Sequence, residues 1–172
     1  FMEFADKLHA LPEYSDYRFV VAAAPARSEA DYAKYIGGRE YVSVVFGQSY
    51  AVMRHAKAAV VNSGTASLEC ALIGTPQVVA YKGAEINFLI AKMIIKIQYI
   101  SLGNLILDRI CFRELLQYYF TPDNVLNEVR RMIEDEEYRS TMLSGYQEIR
   151  DALGGEGASA AVARAMIKEL RK

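Results

Sequence analysis

Short apolar runs alternate with amphipathic stretches along the first half of the chain. Four runs rich in valine and alanine are separated by three stretches with helical periodicity. The apolar runs are 18–24, 41–45, 58–61 and 77–81, and the helical stretches are 28–36, 49–57 and 65–73. Strands that alternate with helices are typical of a parallel sheet covered by helices on both faces. The pattern therefore predicts an α/β fold with a Rossmann-like sheet.

The second half of the chain is mostly helical in pattern, although residues 99–107 are apolar without a regular period. Thr121 and Pro122 match a helix start, with a capping hydroxyl and a proline in the first turn. The helices predicted in this half are 85–96, 121–134, 137–153 and 158–170. We therefore expect one domain over 1–172, in which 121–172 adds helices.

Composition narrows the class of protein. Hydrophobic residues make up 52% of the chain, which is typical of a globular domain. Twenty Lys and Arg against 21 Asp and Glu exclude a general basic surface, so we expect no nucleic-acid partner. Cys70 and Cys111 form no C-x-x-C pair and are interpreted as reduced thiols, while His9 and His55 stand alone. Neither a metal site nor a cofactor is expected.

Candidate chemistry concentrates where the third apolar run ends. Asn62-Ser63-Gly64-Thr65 forms a small polar turn that leads directly into a helix. A helix start offers unpaired N–H groups and a positive dipole end to a phosphate, and a glycine allows close approach. The alternative is an ordinary capped helix, in which these hydroxyls only satisfy the backbone. Glu69 lies one turn after Thr65, where it could accept ribose hydroxyls or be a solvated surface residue.

Four segments then follow one another in a specific order. They are 63–72 (SGTASLECAL), 74–82 (GTPQVVAYK), 99–106 (YISLGNLI) and 114–117 (ELLQ). In sequence and spacing they closely resemble the lipid-A-disaccharide synthase family. The turn SGTA alone is shared with other sugar-nucleotide enzymes, whereas the combination is more specific. The resemblance is good over 40–135 and looser elsewhere.

This resemblance implies a two-domain GT-B glycosyltransferase, of which the chain is the carboxyl-terminal, UDP-binding half. Such an enzyme transfers diacylglucosamine from UDP-2,3-diacylglucosamine to 2,3-diacylglucosamine 1-phosphate by an inverting displacement, and it releases UDP. The resemblance also implies a cytoplasmic enzyme that is peripheral to the inner membrane.

The family's site residues carry over by position. Ser63, Gly64 and Thr65 would hold the pyrophosphate of UDP, and Glu69 the ribose. Asn104 matches an active-site asparagine of the family. The remaining candidates for contact with UDP are Ser101, Glu114 and Gln117.

The chain departs from the family pattern at two places. Gly103 stands where many members have proline. No strand ending in the family's Pro-Gly-Ser-Arg turn precedes Phe1, although the first strand of a doubly wound sheet lies centrally. We therefore expect a piece of a longer protein, without the amino-terminal acceptor domain and the first strand of this domain. The general base is expected in that other domain, so the chain alone is expected to be inactive.

A second possible contact surface is the apolar stretch Ile86–Ile97, which carries Lys92 and Lys96. It could meet acyl chains or the membrane surface, with the lysines on headgroups, or it could be a buried helix whose lysines extend to water. Other hypotheses for the whole chain stay open. They are another UDP-sugar enzyme, such as an N-acetylglucosaminyl transferase or a 2-epimerase, and a non-catalytic nucleotide-binding or oligomerisation module. A homodimer is also open.

Overall fold

The protein is described by a computed structural model over residues 1–62, 64–83, 98–154 and 158–170. Within these residues the chain alternates between helices and parallel strands before it ends in helices. The strands are β1 (Phe19–Ala23), β2 (Val42–Phe46), β3 (Ala59–Val61), β4 (Gln77–Tyr81) and β5 (Glu114–Leu116). The helices are α1 (Met2–His9), α2 (Glu29–Ile36), α3 (Ser49–His55), α4 (Gly64–Ile73), α5 (Leu102–Leu107), α6 (Pro122–Glu134), α7 (Glu136–Leu153) and α8 (Ala158–Leu170). Short 3-10 turns cover Pro12–Tyr14 and Gln117–Tyr119.

The strands form two parallel sheets. One sheet pairs β1 with β2, and the other has the order β3-β4-β5. Phe19 is in register with Val42, and Val60 with Val78. Within the described residues, β1 and β3 each keep one edge without a strand partner. The expected parallel α/β architecture is thus confirmed, and the described strands form two separate sheets rather than one.

Helices connect the two sheets on both sides. On one side, the Phe4 ring of α1 packs edge-on against Phe19 of β1, with ring centroids 6.0 Å apart. On the other side, Thr75, just before β4, donates its hydroxyl to the Met53 carbonyl of α3 at 2.6 Å. Helix contacts, rather than a shared ladder of hydrogen bonds, therefore hold β1 and β2 to the rest of the domain.

The hydrophobic core lies around β4. Val78, Val79 and Ala80 are at most 1% exposed, because α4, α6 and α7 pack around their sheet. The Tyr146 hydroxyl of α7 donates to the Thr75 carbonyl at 3.1 Å inside this core. Other fully buried side chains around it are Leu8, Phe112, Val125, Met132, Met142 and Ile149.

The structure differs from the sequence pattern at two places after residue 98. Residues 102–107, expected to be irregular, form α5, whose polar residue Asn104 is buried with hydrogen-bond partners. The strand Glu114–Leu116 was not predicted, because it has three residues and begins with a charge. It forms because β4 offers a parallel edge, with Ala80 in register with Leu115.

Two expectations concern residues outside the described ranges. These are the predicted helix 85–96 and the proposed contact surface Ile86–Ile97. In the part of the chain that the structure describes, no helix is both long enough and apolar enough to cross a bilayer.

Candidate functional site

The helix start that follows β3 lies at the carboxyl edge of the three-stranded sheet. β3 ends at Val61, and α4 begins at Gly64, while Ser63 lies outside the described residues. The Ser67 hydroxyl donates to the Gly64 carbonyl at 2.7 Å, which tightens the first turn. Thr65 is exposed, and within the described residues its hydroxyl has no partner. The first turn of α4 therefore presents backbone N–H groups and a hydroxyl at the edge where α/β proteins bind ligands.

Space at this helix start depends on Gly64. A Cβ atom at this position would stand 3.4 Å from the Ile100 carbonyl oxygen, in ordinary van der Waals contact. The loop that contains Ile100 therefore forms one wall of the turn. A methyl group on residue 64 would meet this carbonyl oxygen at ordinary contact distance.

Glu69 lies one turn further along α4 and is paired with a residue of α3. The Tyr50 hydroxyl donates to Glu69 Oε1 at 3.0 Å. The neighbouring carboxylate raises the pKa of Tyr50, because it stabilises the protonated phenol. Tyr50 is 61% exposed, so this pair lies on the surface and is accessible to a ligand.

Tyr50 is a residue that sequence reasoning did not select for its side chain. The signal was available in part, because Gln48 to Tyr50 follow the carboxyl end of the β2 strand, at the same edge as the α4 start. The side-chain pairing with Glu69 required the packing of α3 on α4, which only the structure supplies.

Gln117 lies at the carboxyl edge next to the end of β4. Its side-chain Oε1 accepts a hydrogen bond from the Gly83 backbone N–H at 3.1 Å. Gln117 is 6% exposed, its φ is 50°, and its buried side-chain Nε2 has no hydrogen-bond partner among the described residues. A buried, unpartnered amide donor in a strained conformation is a feature that binding sites retain.

Ser101, Asn104 and Glu114 form one hydrogen-bonded cluster. Glu114 Oε1 accepts from the Ser101 backbone N–H at 3.0 Å, from the Ser101 hydroxyl, and from Asn104 Nδ2 at 2.9 Å. Glu114 Oε2 accepts from the Ile100 backbone N–H at 2.9 Å. The carboxylate therefore holds the loop before α5 against the start of β5.

Asn104 is fully buried and uses both ends of its amide within the chain. Its Oδ1 accepts from the backbone N–H groups of Cys111 and Phe112, at 2.8 and 3.3 Å. Its Nδ2 donates to the Phe112 carbonyl at 2.9 Å as well as to Glu114. The two acceptor positions and the two donors of the amide are thus all occupied by the protein itself.

Gly103, where many family members have proline, is tightly packed. A Cβ atom there would lie 2.8 Å from Phe112 Cε1 and 3.0 Å from Ile149 Cδ1. The aromatic ring of Phe112 takes the space that a larger residue at 103 would need. The lack of a side chain at Gly103 is therefore matched by the close packing of Phe112 and Ile149 against α5.

The structure thus groups the candidate residues in three places. Gly64, Thr65 and Glu69 share α4, Ser101 and Asn104 join Glu114, and Gln117 stands at the end of β5 beside Gly83. The loop at Ile100 links the first two groups. Within the described ranges, no three His, Cys, Asp or Glu side chains are arranged to hold a metal ion.

A parallel sheet covered by helices, with a helix start open at its carboxyl edge, is the architecture of one half of a GT-B glycosyltransferase. The solved structure of the glycosyltransferase VinC in complex with dTDP matches it with a TM-score of 0.53. The match covers 86% of this chain and 33% of VinC at 17% sequence identity, so it shows the fold alone.

Sequence comparison specifies the family. The family model described as lipid-A-disaccharide synthetase matches residues 3–166. The lipid-A-disaccharide synthase of Anaeromyxobacter dehalogenans (strain 2CP-C) is 33% identical over 99% of this chain, and that of Trichlorobacter lovleyi is 34% identical over 82%. The chain belongs to the lipid-A-disaccharide synthase family. It spans 44% and 37% of the lengths of these two relatives.

Proposed function

We propose that this chain binds the UDP part of a UDP-2,3-diacylglucosamine donor, as the carboxyl-terminal half of a lipid-A-disaccharide synthase. The whole enzyme would transfer diacylglucosamine to 2,3-diacylglucosamine 1-phosphate and release UDP. The observation that carries the proposal is the start of α4, where Gly64 lacks a side chain and the Thr65 hydroxyl is exposed. Family membership supplies the class of substrate.

The pyrophosphate would bind at Gly64 and Thr65. Backbone N–H groups in the first turn of α4 would donate to its oxygens, and the positive end of the helix dipole favours negative charge there. During transfer the bond between the anomeric carbon and the UDP oxygen breaks, and negative charge develops on UDP. Fixed N–H donors stabilise that charge without reorganisation.

The ribose would bind beside Glu69. Its Oε1 is already occupied by Tyr50, whereas Oε2 has no hydrogen-bond partner within the described residues. Ribose hydroxyls are donors that a carboxylate oxygen accepts well. The Tyr50 hydroxyl fixes the orientation of the carboxylate and offers its own oxygen to the ligand.

The proton of the attacking acceptor hydroxyl must go to a general base. Glu114 is unsuited to this role, because four donors already occupy its carboxylate. Glu69 is committed to Tyr50 and to the proposed ribose contact. The family resemblance implies a base in the amino-terminal domain of a longer protein, so we place it there and expect this chain alone not to turn over. An inverting displacement, the acylated acceptor and a location at the cytoplasmic face of the inner membrane belong to this proposal.

Calorimetric titration of the chain with UDP tests the proposal. We expect weak binding in the wild type, near a millimolar Kd, or about −4 kcal/mol. Thr65→Pro removes one N–H from the first turn, where proline does not break a helix, and should weaken binding at least ~10-fold. Thr65→Ala, which removes only the hydroxyl, should have a smaller effect.

The matched control is Glu137→Pro, which places proline at the same second position of α7. Its affinity for UDP should equal that of the wild type. Unchanged binding by Thr65→Pro, or no UDP binding by the wild type, would contradict the proposal. Absence of binding would favour a non-catalytic oligomerisation module. A transferase assay of a full-length family member carrying this sequence, with acylated and unacylated UDP-sugar donors, separates this function from that of other UDP-sugar enzymes.

A further inference from the structure

The cluster Ser101–Asn104–Glu114 is connected to the proposed pyrophosphate site through a single residue. The Ile100 backbone N–H donates to Glu114 Oε2 at 2.9 Å. The carbonyl oxygen of the same Ile100 lies 3.4 Å from the position that a Cβ atom on Gly64 would take. One peptide segment thus reaches from the Glu114 carboxylate to the turn where α4 begins.

We infer that Ser101, Asn104 and Glu114 are positioning residues, which set the space at Gly64 by fixing the Ile100 loop. This inference rests on the proposed function, since it assigns these residues a role at the same UDP site. It differs from direct contact with UDP, which is the role that the family resemblance implies for them.

The Glu114 carboxylate is committed to donors of the chain itself. It receives two backbone N–H groups, one hydroxyl and one amide N–H. Hydrogen bonds to an ionised carboxylate are short and strong, and this set holds Ile100, Ser101 and Asn104 to the start of β5. The Glu114 Oε1 atom receives three of these donors, so a ligand group could bind that oxygen only by displacing one of them.

Asn104 has no hydrogen-bonding capacity left for a ligand. The residue is 0% exposed, and its amide bonds Cys111, Phe112 and Glu114. Turning the side chain toward a substrate would leave the Cys111 and Phe112 backbone groups unsatisfied in the interior, which is costly. Its geometry suits a brace between α5 and the start of β5.

Gln117 differs from this cluster. Its buried amide nitrogen has no partner in the part of the chain that the structure describes, whereas every polar side-chain group of Asn104 has one. Side-chain donors that await a ligand are expected to be unsatisfied in its absence, and the members of this cluster are satisfied. Gln117 therefore keeps its proposed role as a direct contact.

Glu114→Gln tests the inference because it alters one bond of the cluster selectively. The new amide oxygen can keep the donors from Ser101 and Asn104, while the amide nitrogen, itself a donor, faces the Ile100 N–H. The Ile100 connection is lost while the size of the side chain is kept. Ser101→Ala is a milder second variant, because it removes only the hydroxyl bond.

The decisive readout is the ¹H–¹⁵N spectrum of the chain without and with UDP. Positioning predicts that Glu114→Gln shifts the Gly64 and Thr65 amide signals in the absence of UDP and weakens UDP binding about tenfold. Ser101→Ala should shift the same signals less. The melting temperature, recorded in parallel, reports any general loss of structure.

The matched control is Glu128→Gln, a similar change at a buried glutamate of the same half, which is bonded to Tyr138. It should leave the Gly64 and Thr65 signals and the affinity for UDP unchanged. Weaker UDP binding by Glu114→Gln without a shift in the ligand-free spectrum would indicate direct contact and overturn the inference, as would unshifted signals with unchanged affinity. Absence of UDP binding by the wild type would overturn the proposed function itself, and this role with it.

Discussion

The two sheets of this domain differ in how completely they are buried. In the three-stranded sheet, Val78, Val79 and Ala80 of β4 are at most 1% exposed. In the two-stranded sheet, Val20 of β1 is 43% exposed and Phe46 of β2 is 41% exposed. Helix α2, which belongs to this second half, has no buried residue.

Most residues of the proposed UDP site lie in the better-buried half of the domain. The start of α4, Gln117 and the cluster around Glu114 all belong to the three-stranded half. Binding geometry is most precise when it is supported by rigid, well-packed elements. The two-stranded half contributes Tyr50 on α3 and is held mainly through α1 and α3.

The largest expected effect comes from removing one phenylalanine ring from each half and comparing the two losses of stability. Phe112→Ala leaves a cavity at a residue that is 0% exposed, so it should lower the free energy of unfolding by ~3–5 kcal/mol. Phe46→Ala removes a ring that is already in water on one side, so it should lower it by ~1 kcal/mol or less. Urea denaturation measures both. Equal losses would refute the contrast between the two sheets.

A smaller effect tests the close packing of α7 on the three-stranded half. A Cβ atom on Gly145 would lie 2.3 Å from Cys111 Sγ, so Gly145→Ala forces a clash in the core. We expect a loss of ~1–3 kcal/mol in thermal or urea denaturation. Adding Cys111→Ala removes the sulfur and should recover part of that loss. If the double variant loses as much stability as the sum of the losses in the two single variants, or more, this packing is contradicted.

The smallest effect concerns the attachment of the two-stranded half to α1. Asp6 accepts hydrogen bonds from the Arg39 guanidinium and the Tyr41 hydroxyl, and the bond with Arg39 is the main reason why the pKa of Asp6 falls from 3.8 to about 2. A lowered pKa means that this contribution is present above pH ~4 and is lost as the pH falls from ~4 through ~2. Because the Asp6 side chain is 39% exposed, we expect only ~0.5–1 kcal/mol.

Asp6→Asn should remove this part of the pH dependence of unfolding between pH 5 and pH 2. The control is Asp123→Asn. It removes the salt-bridge partner of Lys7, which lies next to Asp6 on α1, but leaves the bonds of Asp6 with Arg39 and Tyr41 intact. If Asp6→Asn and wild type lose stability in parallel over this range, the Asp6 cluster does not anchor the second sheet.

The parts of the fold that are local in sequence could be predicted. Strands β1 to β4 follow from apolar runs bounded by turn residues, such as Pro25 after β1 and Pro76 before β4. The α6 start follows from Thr121, whose hydroxyl accepts a hydrogen bond from the Asn124 N–H at 3.2 Å. β5 could not be predicted, because a three-residue strand forms only against an existing edge.

The part of the candidate site that is local in sequence could likewise be predicted. The turn before α4 is a local pattern, and the structure describes Gly64 and Thr65 where that pattern indicates a helix start. The bonds that saturate Asn104 come from Cys111, Phe112 and Glu114, seven to ten residues later, and no local pattern reports them. Sequence reasoning therefore proposed candidate residues but could not separate those that face a ligand from those that support the site.

The central claim is that the three-stranded half holds the pyrophosphate of UDP at the start of α4. It is tested most directly by comparing ¹H–¹⁵N spectra of the chain titrated with UDP and with uridine. We predict that UDP shifts the Gly64 and Thr65 amide signals, and that uridine, which lacks the phosphates, leaves them nearly unchanged. UDP-induced shifts that are absent from this turn, or that cluster instead in the surface pocket lined by Arg130, Arg131, Glu134 and Asp135 at the end of α6, would contradict the account.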